Sequence, residues 1–368
     1  MATVKAEANP EVLRWARETA GLSASAAAKA ANTREERVLA AEAGDLLLTF
    51  RQARLLAKAY GRPLATLFMP SPPDEPTVER KFRMLRGAPA PPWSHELLLL
   101  ERDVRTRQEA SVELYHLLDE RPPWPQTVAE LDLRRGAPAP DVLREYLGIR
   151  TRDMRGAELW HARRVVLRAL EWAGALVIRH PIPDAGVRGF AIPHATVPAV
   201  VINSGEHPRA QVFSAVHEFA HLLLACADQS PGDEEAWCES YAGEVLMPER
   251  EFRATVYPGD NPVRTAKRAA DEFGVTPLAV AVRARHLQIF SVDDLIAVRD
   301  RPYVTPKAKW ANPNQTKVAR LSPTFTDLVL SASGSQAITL STASRLLRTR
   351  VDDFGKLREI ATSALTER

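Results

Sequence analysis

Apolar positions recur at helical spacing through most of the chain and at strand spacing in one short stretch. In "NPEVLRWARETAGLS" the apolar positions are Leu13, Trp15, Ala16 and Ala20, with Asn9 as a cap, Pro10 at the first helical position and Gly21 as a stop. "SASAAAKAANTREERVLAAEAG" predicts two short helices broken near Asn32 and Thr33. Thr33 reads as an N-cap with Glu36 three residues on, the spacing of a capping box. "TFRQARLLAKAYGRPLATLFMP" adds two more helices, split at Gly61, Arg62 and Pro63. The stretch from Asn9 to Met69 is therefore expected to be all-helical.

Proline then breaks the pattern. "PSPPDEP", Pro70 to Pro76, reads as a stiff extended linker. Beyond it, "SHELLLLERDVRTRQEASVELYHLLDE" predicts a long polar helix between the proline-rich connectors "APAPP" and "RPPWPQ". From Ala157 the pattern changes. The helix "ELWHARRVVLRALEWAG" leads into three strand-like runs, "ALVIRH", "GFAIPH" and "AVVIN", separated by turn residues. The helices "HPRAQVFSAVHEFAHLLLAC" and "EEAWCESYAGEVLMPE" follow. The tail reads as mixed, with a loop "VTPKAKWANPNQTK" and a helical end. The expected fold class is α+β and mostly helical, with a small three-stranded sheet. The expected divisions are 1–70, 71–153, 154–290 and 291–368.

A chain of 368 residues is too long for one compact core, and two or three domains are expected. The 45% hydrophobic and 26% charged residues are an ordinary globular balance. A net charge of +3 argues against wholesale nucleic-acid binding while leaving room for a local basic surface. Two cysteines, Cys226 and Cys238, exclude a disulfide framework and fit a reducing cytosol. The start of the chain does not read as a secretory signal, and no apolar run approaches the ~20 residues of a membrane span. The expectation is a cytoplasmic protein with no membrane partner.

Chemistry concentrates in "AVHEFAHLLL". On a helix His217 and His221 share one face, and Glu218 sits one position further round. This spacing holds zinc and activates a water: two imidazoles are ligands, and the acid takes the proton. A catalytic metal needs a third protein ligand and one open position. In "DEEAWCESYAGEVLMP" the favoured third ligand is Glu235, with Glu234 as its substitute. Glu239 is the candidate to receive a hydrogen bond from a ligating histidine. Three polar groups buried on an apolar helix without a metal would be costly, which favours one Zn2+ per chain over simple packing.

"VFSAVHEFAHLLLA" followed by "EEAWCESYAGEVLMP" resembles the ImmA/IrrE family of metallopeptidases. Cys238 stands where that family has alanine, Glu239 where it has asparagine or aspartate, and Val245 where it has leucine. "RGFAIPHATVPAVVIN" and "DEFGVTPLAVAVRARHL" extend the likeness over roughly 157–288. The resemblance implies a gluzincin-like domain with metal on His217, His221 and Glu235 and Glu218 as general base. The stretches "LRWARETAGLSASAAAKAA", "TREERVLAAEAGD" and "TFRQARLLAKAYGRPLATLF" resemble the Xre helix-turn-helix family. That likeness implies a Thr33–Ala41 helix in the major groove of double-stranded DNA, with Thr33, Arg34 and Arg37 near the bases.

The implied function is limited proteolysis of a regulatory protein, a repressor or an antitoxin, by a zinc endopeptidase joined to a DNA-binding-type module. The competing expectation is an antitoxin that binds operator DNA and a toxin without proteolysis. A third is a repressor whose peptidase-like domain is a sensor. A second copy of the chain is also a candidate partner. Other residues have plainer readings. Cys238 and Cys226 read as packing, with a thiolate ligand at Cys238 as the alternative. Tyr241 reads as a core aromatic. His194 reads as a loop histidine, with oxyanion stabilisation as the alternative. Arg345, Arg348 and Arg350 read as a solvated basic face.

Overall fold

The structure, a computed structural model, describes residues 4–73, 82–84, 93–155, 159–184, 186–227, 231–257, 259, 261–301 and 312–366. The chain divides into two compact units. The first draws on Met1–Arg80, Arg86–Thr106 and Pro183–Ala185, and the second on Lys81–Leu85, Arg107–Ile182 and Gly186–Arg368. The end of the Pro70–Pro76 linker, the "APAPP" connector and most of the "VTPKAKWANPNQTK" loop lie outside the described residues.

In the first unit strand β1 (Lys5–Ala6) precedes helices α1 (Pro10–Thr19), α2 (Ala24–Ala30) and α3 (Glu35–Ala43). Strand β2 (Leu48–Thr49) pairs antiparallel with β1 and runs into α4 (Phe50–Ala59). The Asn9 side chain caps α1 as expected. The Thr33 cap is not formed: Arg34 occupies the N-cap of α3 without a side-chain hydrogen bond. The capping box appears instead at Thr49 and Gln52, where an extended residue leads straight into α4. The expected last helix is a short 3-10 turn, Leu64–Phe68. Leu13, Ala16, Ala27, Val38, Leu56 and Tyr60 form the core. Alanine at so many contacts lets these short helices approach closely. Beside them Arg17 forks onto Glu42 at 2.7 and 2.9 Å. The beginning of α5 (His95–Leu117) completes the unit, with Arg102 donating to the Tyr60 carbonyl at 2.6 Å.

From Arg107 onward α5 belongs to the second unit, where Gln108 donates to the carbonyls of Ile192 and Val197. Four helices follow: α6 (Trp124–Glu130), α7 (Pro140–Leu147), α8 (Thr151–Met154) and α9 (His161–Trp172). The sheet contains β3 (Phe82–Met84), β4 (Leu176–His180), β5 (Val187–Ile192) and β6 (Ala199–Asn203) in the order β3-β5-β6-β4. The three expected strands are all there, and β3 adds a short fourth, antiparallel to β5. β4 and β6 run parallel, β5 and β6 antiparallel. Next come α10 (Pro208–Cys226), α11 (Glu234–Leu246), α12 (Glu249–Arg253), α13 (Pro262–Phe273), α14 (Pro277–His286) and α15 (Val292–Arg299). The last four helices are α16 (Pro313–Leu321), α17 (Pro323–Gly334), α18 (Leu340–Leu347) and α19 (Phe354–Thr366).

The helical end expected of the tail is there, and most of the expected loop lies outside the described residues. The tail's described residues after Val292 form helices and turns, without a strand. Helix α17 is rich in serine, threonine and β-branched residues, which favour turns and strands. Its Phe325, Leu328, Val329 and Ala332 nevertheless fall on one buried helical stripe, and that burial prevails. Helix α16 also starts inside the expected loop, on Asn312 and Pro313, the same cap-and-proline pair that opens α1. Glu171, at the end of α9, is fully buried and joins these layers. It accepts from Val177 N at 2.9 Å, Ser322 Oγ at 3.1 Å and Thr324 N at 3.1 Å.

Candidate metal centre

Helix α10 is apolar around most of its circumference because it is enclosed. It packs on α9, α11, β5 and β6, and Val212, Ala215, Val216, Phe219, Ala220 and Leu223 are fully buried. Burying such side chains stabilises the fold by about 1.5–3 kcal/mol for each large one. The same enclosure withdraws His217, Glu218 and His221 from water. The four-residue spacing brings the two imidazoles together edge to face, with ring centroids 4.9 Å apart and Nε2 atoms 3.2 Å apart.

The third group comes from the first turn of α11. Asp233 caps that helix through Ala236 N, and Glu234 and Glu235 follow at once. The positive end of the helix dipole favours ionised carboxylates there. Glu235 Oε2 lies 3.3 Å from His217 Nε2, and Oε1 lies 3.2 Å from His221 Nε2. His217, His221 and Glu235 each offer a ligand atom, all within 4.8 Å of one another, so the three could hold a metal ion. Two nitrogens and a carboxylate oxygen form a donor set suited to zinc. Glu235 is 53% exposed in its side chain, which leaves this side of the cluster open to solvent.

Charge in the pocket is arranged for a cation. Burial works against a positive His221, but the Cys238 thiol and the Glu235 and Glu218 carboxylates outweigh it and push the imidazole up to about 11. Burial likewise opposes ionisation of Glu235, yet hydrogen bonds and charge from His217 and His221 hold its carboxyl well below the usual carboxylate range.

His221 Nδ1 meets Glu234 Oε1 at 2.8 Å. The first turn of α11 faces this ring, so Glu234 is the carboxylate on the outer nitrogen of His221. Glu239 lies a turn further along and is half-buried. Cys238 is buried on the same helix, and its thiol is pushed up by burial, with His221 opposing. Tyr241 is a core aromatic: its hydroxyl donates to the Pro138 carbonyl at 2.8 Å and its ring stacks on Trp237. The Nδ1 of His194 accepts from the backbone of Thr196 and Val197, closing the turn between β5 and β6. Thr33 and Arg37 are half-buried and Arg34 exposed, around the start of α3, where Glu35 and Glu36 are also exposed.

Gly189, inside β5, also shapes the site. A Cβ there would lie 3.1 Å from Glu218 Oε1 and 2.7 Å from the Val201 carbonyl oxygen. The signal was present: glycine inside a strand marks close approach of another group.

A family comparison agrees with this geometry. Residues 170–285 match the peptidase family model described as the IrrE N-terminal-like domain. That span contains β4 to β6, α10, α11, α13 and nearly all of α14, including every residue of the metal cluster. No curated protein and no solved structure matches the chain. No helix among the described residues is long and apolar enough to cross a membrane.

Proposed function

We propose that the chain is a zinc-dependent endopeptidase that cuts a regulatory protein, a repressor or an antitoxin, and that its first unit is a DNA-binding module. The observation that carries the peptidase reading is the convergence of His217, His221 and Glu235, with one side open, in a domain matching a peptidase family. His217 and His221 would hold the ion through Nε2, and Glu235 through its carboxylate. A bound zinc would lower the pKa of a water from ~15.7 towards ~7. Glu218, one position round the helix from His217, would take the water's proton and return it to the leaving amine. Glu234 would fix the ring and tautomer of His221.

An extended substrate is the fitting partner for a site beside a sheet. β5 is flanked by β3 and β6, so a substrate strand would pair at β3 or displace it. The DNA-binding reading is supported by the short helices α1 to α4 and by Thr33, Arg34 and Arg37 around the start of α3.

The test compares wild type with Glu218→Gln on candidate repressors and antitoxins, with metal content measured for both. Equal metal, with cleavage only by wild type, supports the reading. A partner bound tightly and left uncut by wild type supports the antitoxin alternative. Gel shifts over a salt series test the DNA module, because phosphate contacts give a steep salt dependence.

A further inference from the structure

Glu218 lies against one strand. Gly189 of β5 touches it, and α10 packs on β5 and β6. On the side of β5 away from β6, the pairing position is taken by β3, antiparallel, with Arg83 opposite Gly189. Paired residues of antiparallel strands have Cα atoms roughly 5 Å apart. The backbone of β3 therefore passes within one strand spacing of the residue in contact with Glu218. A peptide to be hydrolysed must bring a carbonyl to a water held by Glu218. An extended segment added to β5 would run along this same line. β3 stands where that segment would go.

β3 is also weakly secured. It has three residues, against five in β4 and five in β6. Its register on β5 shifts between Arg83 and Met84, and such an irregularity interrupts the hydrogen-bonded ladder. Among the described residues no strand pairs with its outer edge. Its place in the chain is unusual as well. Before Arg107 the second unit takes just Lys81–Leu85, and the stretches on both sides, Met1–Arg80 and Arg86–Thr106, belong to the first unit.

Resting on the peptidase reading, we propose that β3 is a removable plug that holds the substrate strand's place on β5. The substrate is an extended segment that takes over the antiparallel pairing along Val187–Phe190 when β3 leaves. Recognition through backbone hydrogen bonds favours flexible segments over folded ones. β3 remains part of the chain, so it competes as a tethered ligand, at an effective concentration in the millimolar range for a short tether. The apparent affinity for any substrate falls by the fraction of time that β3 is away.

The experiment uses the full chain with Glu218→Gln, so that the probe stays whole, and compares it with the same chain carrying Arg83→Pro and Met84→Pro. Proline has no N–H to give to a ladder. The probe is a fluorescein-labelled peptide of residues 77–90, read by anisotropy, with zinc content measured in both proteins. Freed of the tethered strand, the proline variant is expected to keep its zinc and to bind the peptide at least about tenfold more tightly. A peptide carrying the same two prolines is expected to bind neither protein. In wild type, amide hydrogen exchange is expected to be faster over Phe82–Met84 than over Ala199–Asn203. Zinc-loaded proteins that bind the peptide equally, or not at all, overturn the proposal and leave the peptidase reading standing. So does a proline-bearing peptide that binds as well as the natural one. A proline variant that fails to fold or loses its zinc also overturns the proposal, as does exchange in β3 as slow as in β6, since β3 would then be a fixed part of the sheet. A Glu218→Gln chain that takes up no zinc overturns the peptidase reading, and the proposal with it.

Discussion

Glu234 Oε1 meets His221 Nδ1 at 2.8 Å, while the other ring nitrogen faces Glu235, the next residue in the chain. Adjacent carboxylates thus grip opposite sides of one imidazole. Glu235 is placed to share a metal and Glu234 to orient the ring. Partners of ligating histidines typically contribute 10–100-fold in metal affinity. Glu234→Gln is therefore expected to weaken zinc binding by about that factor, and Glu235→Gln by more. Competition against a chromophoric chelator measures both. Equal effects would mean that the two carboxylates do not divide these roles.

The place of Gly189 gives a second prediction. A methyl group there cannot coexist with the present positions of Glu218 and the Val201 carbonyl. Gly189→Ala is expected to displace Glu218 and to leave His217, His221 and Glu235 in place. Cleavage of an identified substrate should fall by about 100-fold, the usual effect of an ångström-scale misplacement, with metal content unchanged. A matched loss of metal would show that the strand, rather than Glu218 alone, had moved.

These two residues mark how far the sequence could be read. The histidine pair was legible because helical spacing alone sets imidazoles four residues apart on one face. Glu235 was legible because a third ligand was required and the next helix opened with acids. The contact of Glu234 with His221 was not, since it depends on the angle at which α11 approaches α10. β3 was hidden for a similar reason: Phe82–Met84 pairs with β5 across more than a hundred residues, and so short a run has no periodicity of its own. Helix α17 was hidden because local preference and burial disagree there, whereas in α1 cap, proline and apolar stripe all agree.

In the first unit, Arg17 and Glu42 form a forked pair with Glu42 only 3% exposed in its side chain. Removing one partner of a buried pair strands the other charge and costs about 3–5 kcal/mol. Glu42→Leu is expected to destabilise this unit by that amount. The double replacement Arg17→Met with Glu42→Leu should recover most of the loss. Chemical denaturation of the two variants measures it. A double variant as unstable as Glu42→Leu would show that packing around the pair, rather than the stranded guanidinium, sets the cost.

Glu171 ties the acid stability of the second unit to its last helices. Burial pushes its carboxyl from 4.5 up to about 7, against the opposing pull of Thr324, Val177 and Ser322. Because the folded value is the higher one, the native chain binds this proton more tightly than the unfolded chain. Its contribution is complete below pH 4.5 and is lost as pH rises through about 7. A tenfold difference in proton affinity is worth about 1.4 kcal/mol, so the loss amounts to about 3 kcal/mol. Glu171→Gln turns an amide towards backbone donors and should be less stable at acid pH, but it should not share this decline. Denaturant melts at steps from pH 5 to 8 are expected to show wild type losing stability relative to the variant as pH rises. Parallel curves would mean that the three donors keep Glu171 ionised throughout, and that it clamps α9 to α17 as a permanent anion.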